Sequence, residues 1–195
     1  MPSSLIVYFS QGGTTARVAE RIAAGLPSTG YRVDICNLKD GRPPDAAGYD
    51  LLGVGSPVYH FRPPFKVTDY LNDLPDLAGL PAFVFLLHGT YYWDAGNRVR
   101  RALAREGARE TGYLRCRGAD YFLGYLKLGY LFSPGHPTQE ELARAEQFGR
   151  EVADRVVDRG YVKAEDDPPP EAMYRLERLL VCRWLVRQLY SRLFR

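Results

Sequence analysis

Cysteine is scarce in this sequence, with three in 195 residues, and Cys36, Cys116 and Cys182 lie far apart. Three widely spaced cysteines form neither a disulfide framework nor a Cys-x-x-Cys metal or redox pair, which predicts a reducing, cytoplasmic setting. The sequence also lacks the run of about 18 apolar residues that a membrane-spanning helix requires. A secretory signal peptide is not expected either, because the apolar run at residues 5–9 has no basic leader and ends at a polar turn.

The sequence has little net charge, and that charge is unevenly placed. The total is +3, while the last 25 residues hold six Arg and two Glu, a balance of +4, so that the preceding part carries −1. Neutralising nucleic-acid phosphates requires a basic face on the folded body. We therefore predict no nucleic-acid partner.

Two hydrophobic periodicities alternate along the first 160 residues. Short apolar or alternating runs predict strands, and apolar residues spaced by three or four predict helices. The strands are expected at 5–9, 31–35, 51–55, 82–87 and 111–117, and the helices at 15–26, 65–74, 94–105 and 139–157, the last capped by Thr138. Strands that alternate with helices indicate a parallel α/β sheet with right-handed crossovers and helices on both faces.

Two other regions do not fit this alternation. Residues 118–137 are rich in aromatics and glycine and predict a long loop, a kind of segment that is often functional. We predict one domain over residues 1–160, an acidic and proline-rich linker over 161–170, and a basic amphipathic helix over 171–195. Three roles stay open for that helix: peripheral contact with an anionic membrane surface, docking on a partner protein, and packing on its own domain.

The loop after the first strand has the composition of an anion site. It reads Ser10-Gln11-Gly12-Gly13-Thr14-Thr15 and leads directly into a predicted helix. Glycines let backbone amides turn inward, the hydroxyls can donate, and the helix N-terminus favours negative charge. No Gly-Lys-Ser/Thr or Gly-x-Gly-x-x-Gly follows, which excludes the usual triphosphate and dinucleotide motifs. The alternative is a tight turn with threonines that cap the helix.

This segment resembles the Ser/Thr-x-Thr/Gly-Gly-x-Thr phosphate loop of flavodoxins. The segment Gly53-Val54-Gly55-Ser56-Pro57-Val58-Tyr59 is similar to the Gly-Ser-Pro-x-Tyr segment that places an aromatic ring beside the flavin in that superfamily. The segment His88-Gly89-Thr90-Tyr91-Tyr92-Trp93-Asp94 corresponds to the loop that covers the other flavin edge. Which of its three aromatics contacts the flavin stays open.

The resemblance covers roughly residues 4–158 and is nearest to flavodoxin domains fused to a two-cluster ferredoxin. Gly135-His136-Pro137-Thr138-Gln139-Glu140-Glu141-Leu142 resembles the start of their last helix, whereas the cysteine clusters of a ferredoxin part are absent. The resemblance implies a flavodoxin-like, doubly wound five-stranded sheet in the order 2-1-3-4-5, to which the basic C-terminal helix is appended.

The resemblance also implies FMN as cofactor and an electron-transfer function, with a redox partner protein of ferredoxin type or a small-molecule acceptor. An FMN-dependent reductase of a quinone or similar acceptor stays open, as does a flavin-free interaction module that acts through its C-terminal helix. Asp94 has two readings, a negative charge near the flavin or an N-cap. The implied cofactor-binding residues are Ser10, Gln11, Gly12, Gly13, Thr14, Thr15, Ser56, Pro57, Val58, Tyr59, His88, Gly89, Thr90, Tyr92, Trp93 and Asp94.

Overall fold

A computed structural model describes residues 1–119, 133–162, 164–169 and 171–172. Five parallel strands form one sheet in the order β2-β1-β3-β4-β5. They are β1 (Ser3–Tyr8), β2 (Arg32–Asn37), β3 (Leu51–Pro57), β4 (Pro81–His88) and β5 (Arg109–Arg117). The predicted doubly wound sheet and its strand order are confirmed.

Four α-helices are described, and each lies where helical spacing predicts one. They are α1 (Thr14–Gly25), α2 (Phe65–Asn72), α3 (Ala95–Arg105) and α4 (Gln139–Val157), with short 3-10 helices at Leu26–Thr29 and Ala46–Gly48. Thr138 caps α4 as predicted, because its hydroxyl accepts from the amide of Glu141 while the Glu141 carboxylate accepts from the amide of Thr138. The appended helix predicted at 171–195 and most of the aromatic loop lie outside the described residues.

The helices cover both faces of the sheet, which explains the nearly continuous apolar runs of β1, β3 and β4. On one face α1 and α4 pack on Ile6, Phe83 and Phe85, and on the other α2 and α3 pack on side chains such as Leu52 and Val84. No helix within the described residues is both long and apolar enough to span a membrane.

The described part of the predicted linker lies against the domain. The amide of Val162 donates to the carbonyl of Glu110 on β5, and Asn97 of α3 binds both the amide and the carbonyl of Asp167. We call residues 161, 162 and 164–169 the strap. The boundaries of the predicted domain, linker and helix stay predictions.

Candidate functional site

The loop between β1 and α1 is held by an asparagine of the neighbouring strand. Asn37 ends β2, where its side-chain oxygen accepts from the amide of Ser10 at 3.1 Å and its side-chain nitrogen donates to the carbonyl of Ser10 at 3.1 Å. The same oxygen accepts from the amide of Lys39 at 3.2 Å. One side chain therefore fixes both polar groups of Ser10 at the beginning of the predicted phosphate loop.

The rest of this loop leaves the N-terminus of α1 open. Gly13 occupies the N-cap position in the left-handed region, with φ 86°, and as a glycine it has no side chain that could cap α1. A Cβ on Gly13 would meet nothing within 4 Å, so the space in front of it is free. Ser10 is 4% exposed, and its hydroxyl oxygen accepts from the amide of Ala16 at 3.3 Å. The first amides of a helix have no intrahelical acceptor, and in α1 Ser10 supplies one for Ala16.

The predicted hydroxyl donors differ in accessibility. Thr14 is half-buried at the mouth of the loop, whereas Thr15 is only 1% exposed. Gln11 and Gly12 are exposed. The six predicted residues thus form one segment that leads from the end of β1 into the first two residues of α1.

The loop after β3 begins beside the loop after β1. The ring of Tyr59 lies edge-on to that of Phe9 with centroids 6.2 Å apart, and the amide of Val58 donates to the carbonyl of Leu87 on β4. Ser56 is fully buried, and its hydroxyl donates to the carbonyl of Pro57. These contacts bring the ends of β1, β3 and β4 together at one edge of the sheet.

A strained turn follows Tyr59. The amide of each of Tyr59 and Arg62 donates to the carbonyl of the other, and the two residues between them have positive φ, 48° at His60 and 59° at Phe61. Residues other than glycine rarely adopt this backbone conformation, which costs of order 1 kcal/mol or more of free energy per residue. Backbone strain of this kind concentrates at functional sites. Here the turn sets the direction in which the chain leaves Tyr59.

The loop after β4 contains the aromatic cluster. Tyr91 and Trp93 are stacked, with ring centroids 5.4 Å apart and planes 12° from parallel, and Tyr91 is 53% exposed. Tyr92 contacts the ring of His88 instead, with centroids 4.8 Å apart. Arg115 of β5 lies over the Tyr92 ring and donates to its hydroxyl at 3.0 Å.

His88 ends β4 and lies inside this loop. Burial lowers the pKa of His88 to about 4, and the positive charges of Arg117 and Arg115 contribute in the same direction. Its imidazole is therefore neutral at pH 7. The carbonyls of His88 and Gly89 accept from the amide of Gly118 and the hydroxyl of Ser133, which joins the described ends of the aromatic loop to this site.

Asp94 stands at the N-cap position of α3, but its side chain makes no cap hydrogen bond. Its carboxylate instead accepts from Arg98 at 3.2 Å, four residues along the helix. Asp94 therefore has the predicted N-cap position without a cap hydrogen bond, and the charge that the other reading places near the flavin is paired with a guanidinium. Thr90 is exposed next to this cluster.

The two described cysteines lie in strands β2 and β5. Cys116 is buried, and burial raises its pKa to about 12. Burial also raises the pKa of the half-buried Cys36. Both are therefore protonated thiols at pH 7, the form that is poorly nucleophilic.

The strap connects to the same edge through a buried carboxylate. Asp167 is 4% exposed; it accepts from the hydroxyl of Tyr113 at 2.7 Å and forms an ion pair with Arg115 at 3.6 Å. Arg115 in turn donates to Tyr92. One guanidinium thus links the strap to Tyr92 in the loop after β4.

Sequence reasoning missed Asn37, Arg115 and Asp167. For Asn37 a signal existed, because a side chain that offers both a donor and an acceptor ends the strand next to β1, in register with Tyr8. For Asp167 none existed, since an aspartate among charges and prolines has the composition of a solvated linker.

Strand order and loop placement together define a class of protein. Successive strands are added to one side of β1 up to β2 and to its other side from β3 onward, and doubly wound α/β proteins bind ligands at the carboxyl edge at the point where this order reverses. Here that edge carries a loop suited to bind an anion, and the loops after β3 and β4 place aromatic side chains on either side of it. This is the arrangement of a flavodoxin-like nucleotide-binding protein. In agreement with this class, the sequence profile of the flavodoxin domain family matches residues 5–127, and the chain belongs to that family.

Similar proteins come from archaea and bacteria. An uncharacterized protein of Methanocaldococcus jannaschii is 26% identical over 155 residues, which cover 76% of this chain and 97% of that protein. A flavodoxin from the domain Archaea superposes with a TM-score of 0.62 at 17% identity, covering 80% of this chain and 99% of that one. The oxidised Flavodoxin 1 of Bacillus cereus also gives 0.62, at 20% identity over 78% of this chain and 97% of its own. These structures share the fold.

Proposed function

We propose that this protein binds FMN at the carboxyl edge of the sheet and passes electrons between that flavin and a redox partner protein. The observation that carries the proposal is the loop from Ser10 to Thr15, whose backbone is fixed by Asn37 and which leads into the N-terminus of α1, where the N-cap residue Gly13 has no side chain. Such a loop suits a phosphate group, and members of the flavodoxin family bind flavin.

The phosphate would be held by neutral donors. No Lys or Arg lies between Ser10 and Thr15. The backbone amides of this turn, the hydroxyls of Ser10 and Thr14, and the dipole of α1 supply the binding. The free space in front of Gly13 leaves room for the group. The described residues therefore fit FMN.

The flavin ring would lie between the two aromatic loops. Because His88 and Arg115 already engage Tyr92, we assign the ring contacts to Tyr59 on one side and the stacked Tyr91–Trp93 pair on the other. An aromatic pair contributes about 0.5–1.5 kcal/mol beyond its buried area. Bound flavin supplies the redox chemistry, and the chain supplies position, burial and charge.

The experiment is an absorption spectrum of the purified protein, followed by titration of flavin-free protein with FMN and with riboflavin. We expect the flavin bands, and a clear preference for FMN. In Gly13→Asp a carboxylate stands at the phosphate position, which should remove the preference.

Gly30→Asp is a matched control. Gly30 has φ 90°, open space around its Cβ position and an exposed location before β2, so the backbone strain is the same. This variant should bind FMN like the unaltered protein. Protein that binds neither ligand would contradict the proposal and favour the flavin-free interaction module, whereas equal loss in both variants would show that strain, not charge, is responsible. Rapid turnover of a quinone by the FMN-loaded protein would favour the reductase.

A further inference from the structure

The carboxyl edge is basic on the side of the sheet away from the phosphate loop. In the loops after β3 and β4, the first turns of α2 and α3, and the last three residues of β5, there are five cations: Arg62, Lys66, Arg98, Arg115 and Arg117. Asp94 is the single carboxylate in the same described segments. We call these five cations the basic rim.

The carboxylates near the basic rim are turned inward or paired. Asp94 is bound by Arg98, and Asp167 of the strap is buried against Tyr113 and Arg115. Asp166, the remaining nearby acid of the strap, pairs with Arg101 further along α3. Counting Asp94 and Asp167, the basic rim keeps a balance of +3.

Three of the four guanidiniums reach solvent, whereas Arg62 is half-buried and its Nε atom is enclosed. The side chains of Arg98 and Arg115 are 47% and 43% exposed, and Arg117 is exposed with no ion pair in the described part of the chain. Arg62 and Arg98 line one shallow cleft. In register, Arg117 lies beside His88, and its charge helps to lower the pKa of that imidazole. The charge of Arg117 therefore acts on His88 at the start of the loop after β4, where Glu141 of α4 opposes it.

We propose that the basic rim is the docking surface for an acidic electron-carrier protein. This inference rests on the proposed function, because electron transfer requires the partner to approach the flavin edge. Complementary charge around that edge raises the encounter rate and orients the partner, while the exposed Tyr91 and Thr90 allow close approach. The cations surround the loops after β3 and β4, where the flavin edge is proposed to lie. This location favours a redox protein over an anionic membrane, because a membrane does not need to approach the flavin.

The experiment measures electron transfer by stopped flow with the full chain loaded with FMN. A reduced acidic [2Fe–2S] ferredoxin gives one electron to the oxidised flavin; in a parallel reaction the reduced flavin gives one electron to basic cytochrome c. We expect the second-order rate with ferredoxin to fall as salt rises from about 20 to 300 mM, and the rate with cytochrome c to rise or stay flat.

Two charge reversals provide the matched comparison. Arg117→Glu changes the basic rim, and Arg159→Glu makes the same change at an exposed position after α4, at the opposite edge of the sheet. Both keep the basic C-terminal segment. We expect Arg117→Glu to slow the ferredoxin reaction on the order of threefold to tenfold at low salt, and Arg159→Glu to change it by much less.

Three results would overturn the basic rim as a docking surface. They are equal ferredoxin rates for the unaltered protein and both variants, equal slowing in both variants, and a ferredoxin rate that rises with salt. Failure of the proposed function is recognised separately, because protein without bound flavin shows no flavin absorbance. Calorimetric titration with oxidised ferredoxin then still tests the surface: binding that Arg117→Glu weakens supports it, and no binding overturns it. Stronger binding to vesicles with anionic lipid than to ferredoxin, weakened by Arg117→Glu alone, would assign the surface to a membrane and overturn the protein partner.

Discussion

Replacing Asn37 by alanine should weaken FMN binding through the phosphate while riboflavin binding changes little. The side chain makes two hydrogen bonds to the peptide groups of Ser10, both at 3.1 Å, so its effect on the phosphate is expected through the loop backbone. Each such bond contributes about 0.5–1.5 kcal/mol, so Asn37→Ala removes about 1–3 kcal/mol from the ordered loop.

That free energy divides between two observables. Part appears as a lower free energy of unfolding, and part as the cost of ordering the loop around the phosphate when FMN binds. If about 1 kcal/mol falls on binding, FMN affinity drops about fivefold. Riboflavin lacks the phosphate, and we expect its affinity to change less than twofold. Fluorescence titration of flavin-free protein measures both affinities, and urea unfolding measures stability.

Asn97→Ala is the matched control. Asn97 also binds the amide and carbonyl of one residue, Asp167, at 2.9 and 3.0 Å, but does so at the strap. It is more deeply buried, so the loss of stability should be at least as large while the ratio of FMN to riboflavin affinity stays unchanged. An unchanged ratio in both variants would refute the role of Asn37 in shaping the phosphate loop.

Three further outcomes follow from buried or capping side chains. Burial raises the pKa of Asp167 despite the hydrogen bond from Tyr113 and the nearby guanidiniums. The contribution of Asp167 to the free energy of unfolding is therefore fully present below the ordinary pKa near 4, and it is lost as pH rises through the native pKa. In urea unfolding, the stability of the protein relative to Asp167→Asn should therefore increase between pH 7 and 5, and a constant difference would contradict this. The pKa of His88 is lowered to about 4 mainly by burial, so its contribution is present above about 6.5 and lost as pH falls toward 4; an NMR titration of His88 near 6.5 would contradict the buried neutral imidazole. Thr138→Ala should cost about 1 kcal/mol in urea unfolding, because α4 loses its capping box, and an unchanged midpoint would show that the cap is not needed.

The fold was predictable because its determinants are local. The strands of a sheet covered on both faces are short apolar runs, as at β4, and helices such as α4 combine helical spacing with a capping residue. Errors are confined to element ends, for example at α2, which ends at Asn72 where Leu74 was expected. The strand order came from the resemblance to flavodoxins, since periodicity does not say which strands are neighbours.

The candidate site was predictable only where one short segment contains it. The phosphate loop is contiguous from Ser10 to Thr15, and its glycine and hydroxyl pattern is visible in the sequence. Its anchor, Asn37, lies 27 residues away and meets Ser10 because β2 pairs with β1. A partner brought by strand pairing leaves no local pattern, so the loop could be predicted and the residue that shapes it could not.

The basic rim and the strap show the same limit for charge. The sequence before residue 171 carries −1, and that total excluded a basic face, yet five cations meet at one edge of the sheet while the nearby carboxylates are buried or paired. A sum along the chain weights every charge equally, whereas a partner responds to those that face it. Asp167 counts as −1 in the sum, but it is 4% exposed and lies against Arg115, whose guanidinium still reaches solvent. The strap is therefore held in place by a carboxylate that is buried and that a partner protein does not contact. The surface beside the loop after β4 stays positive.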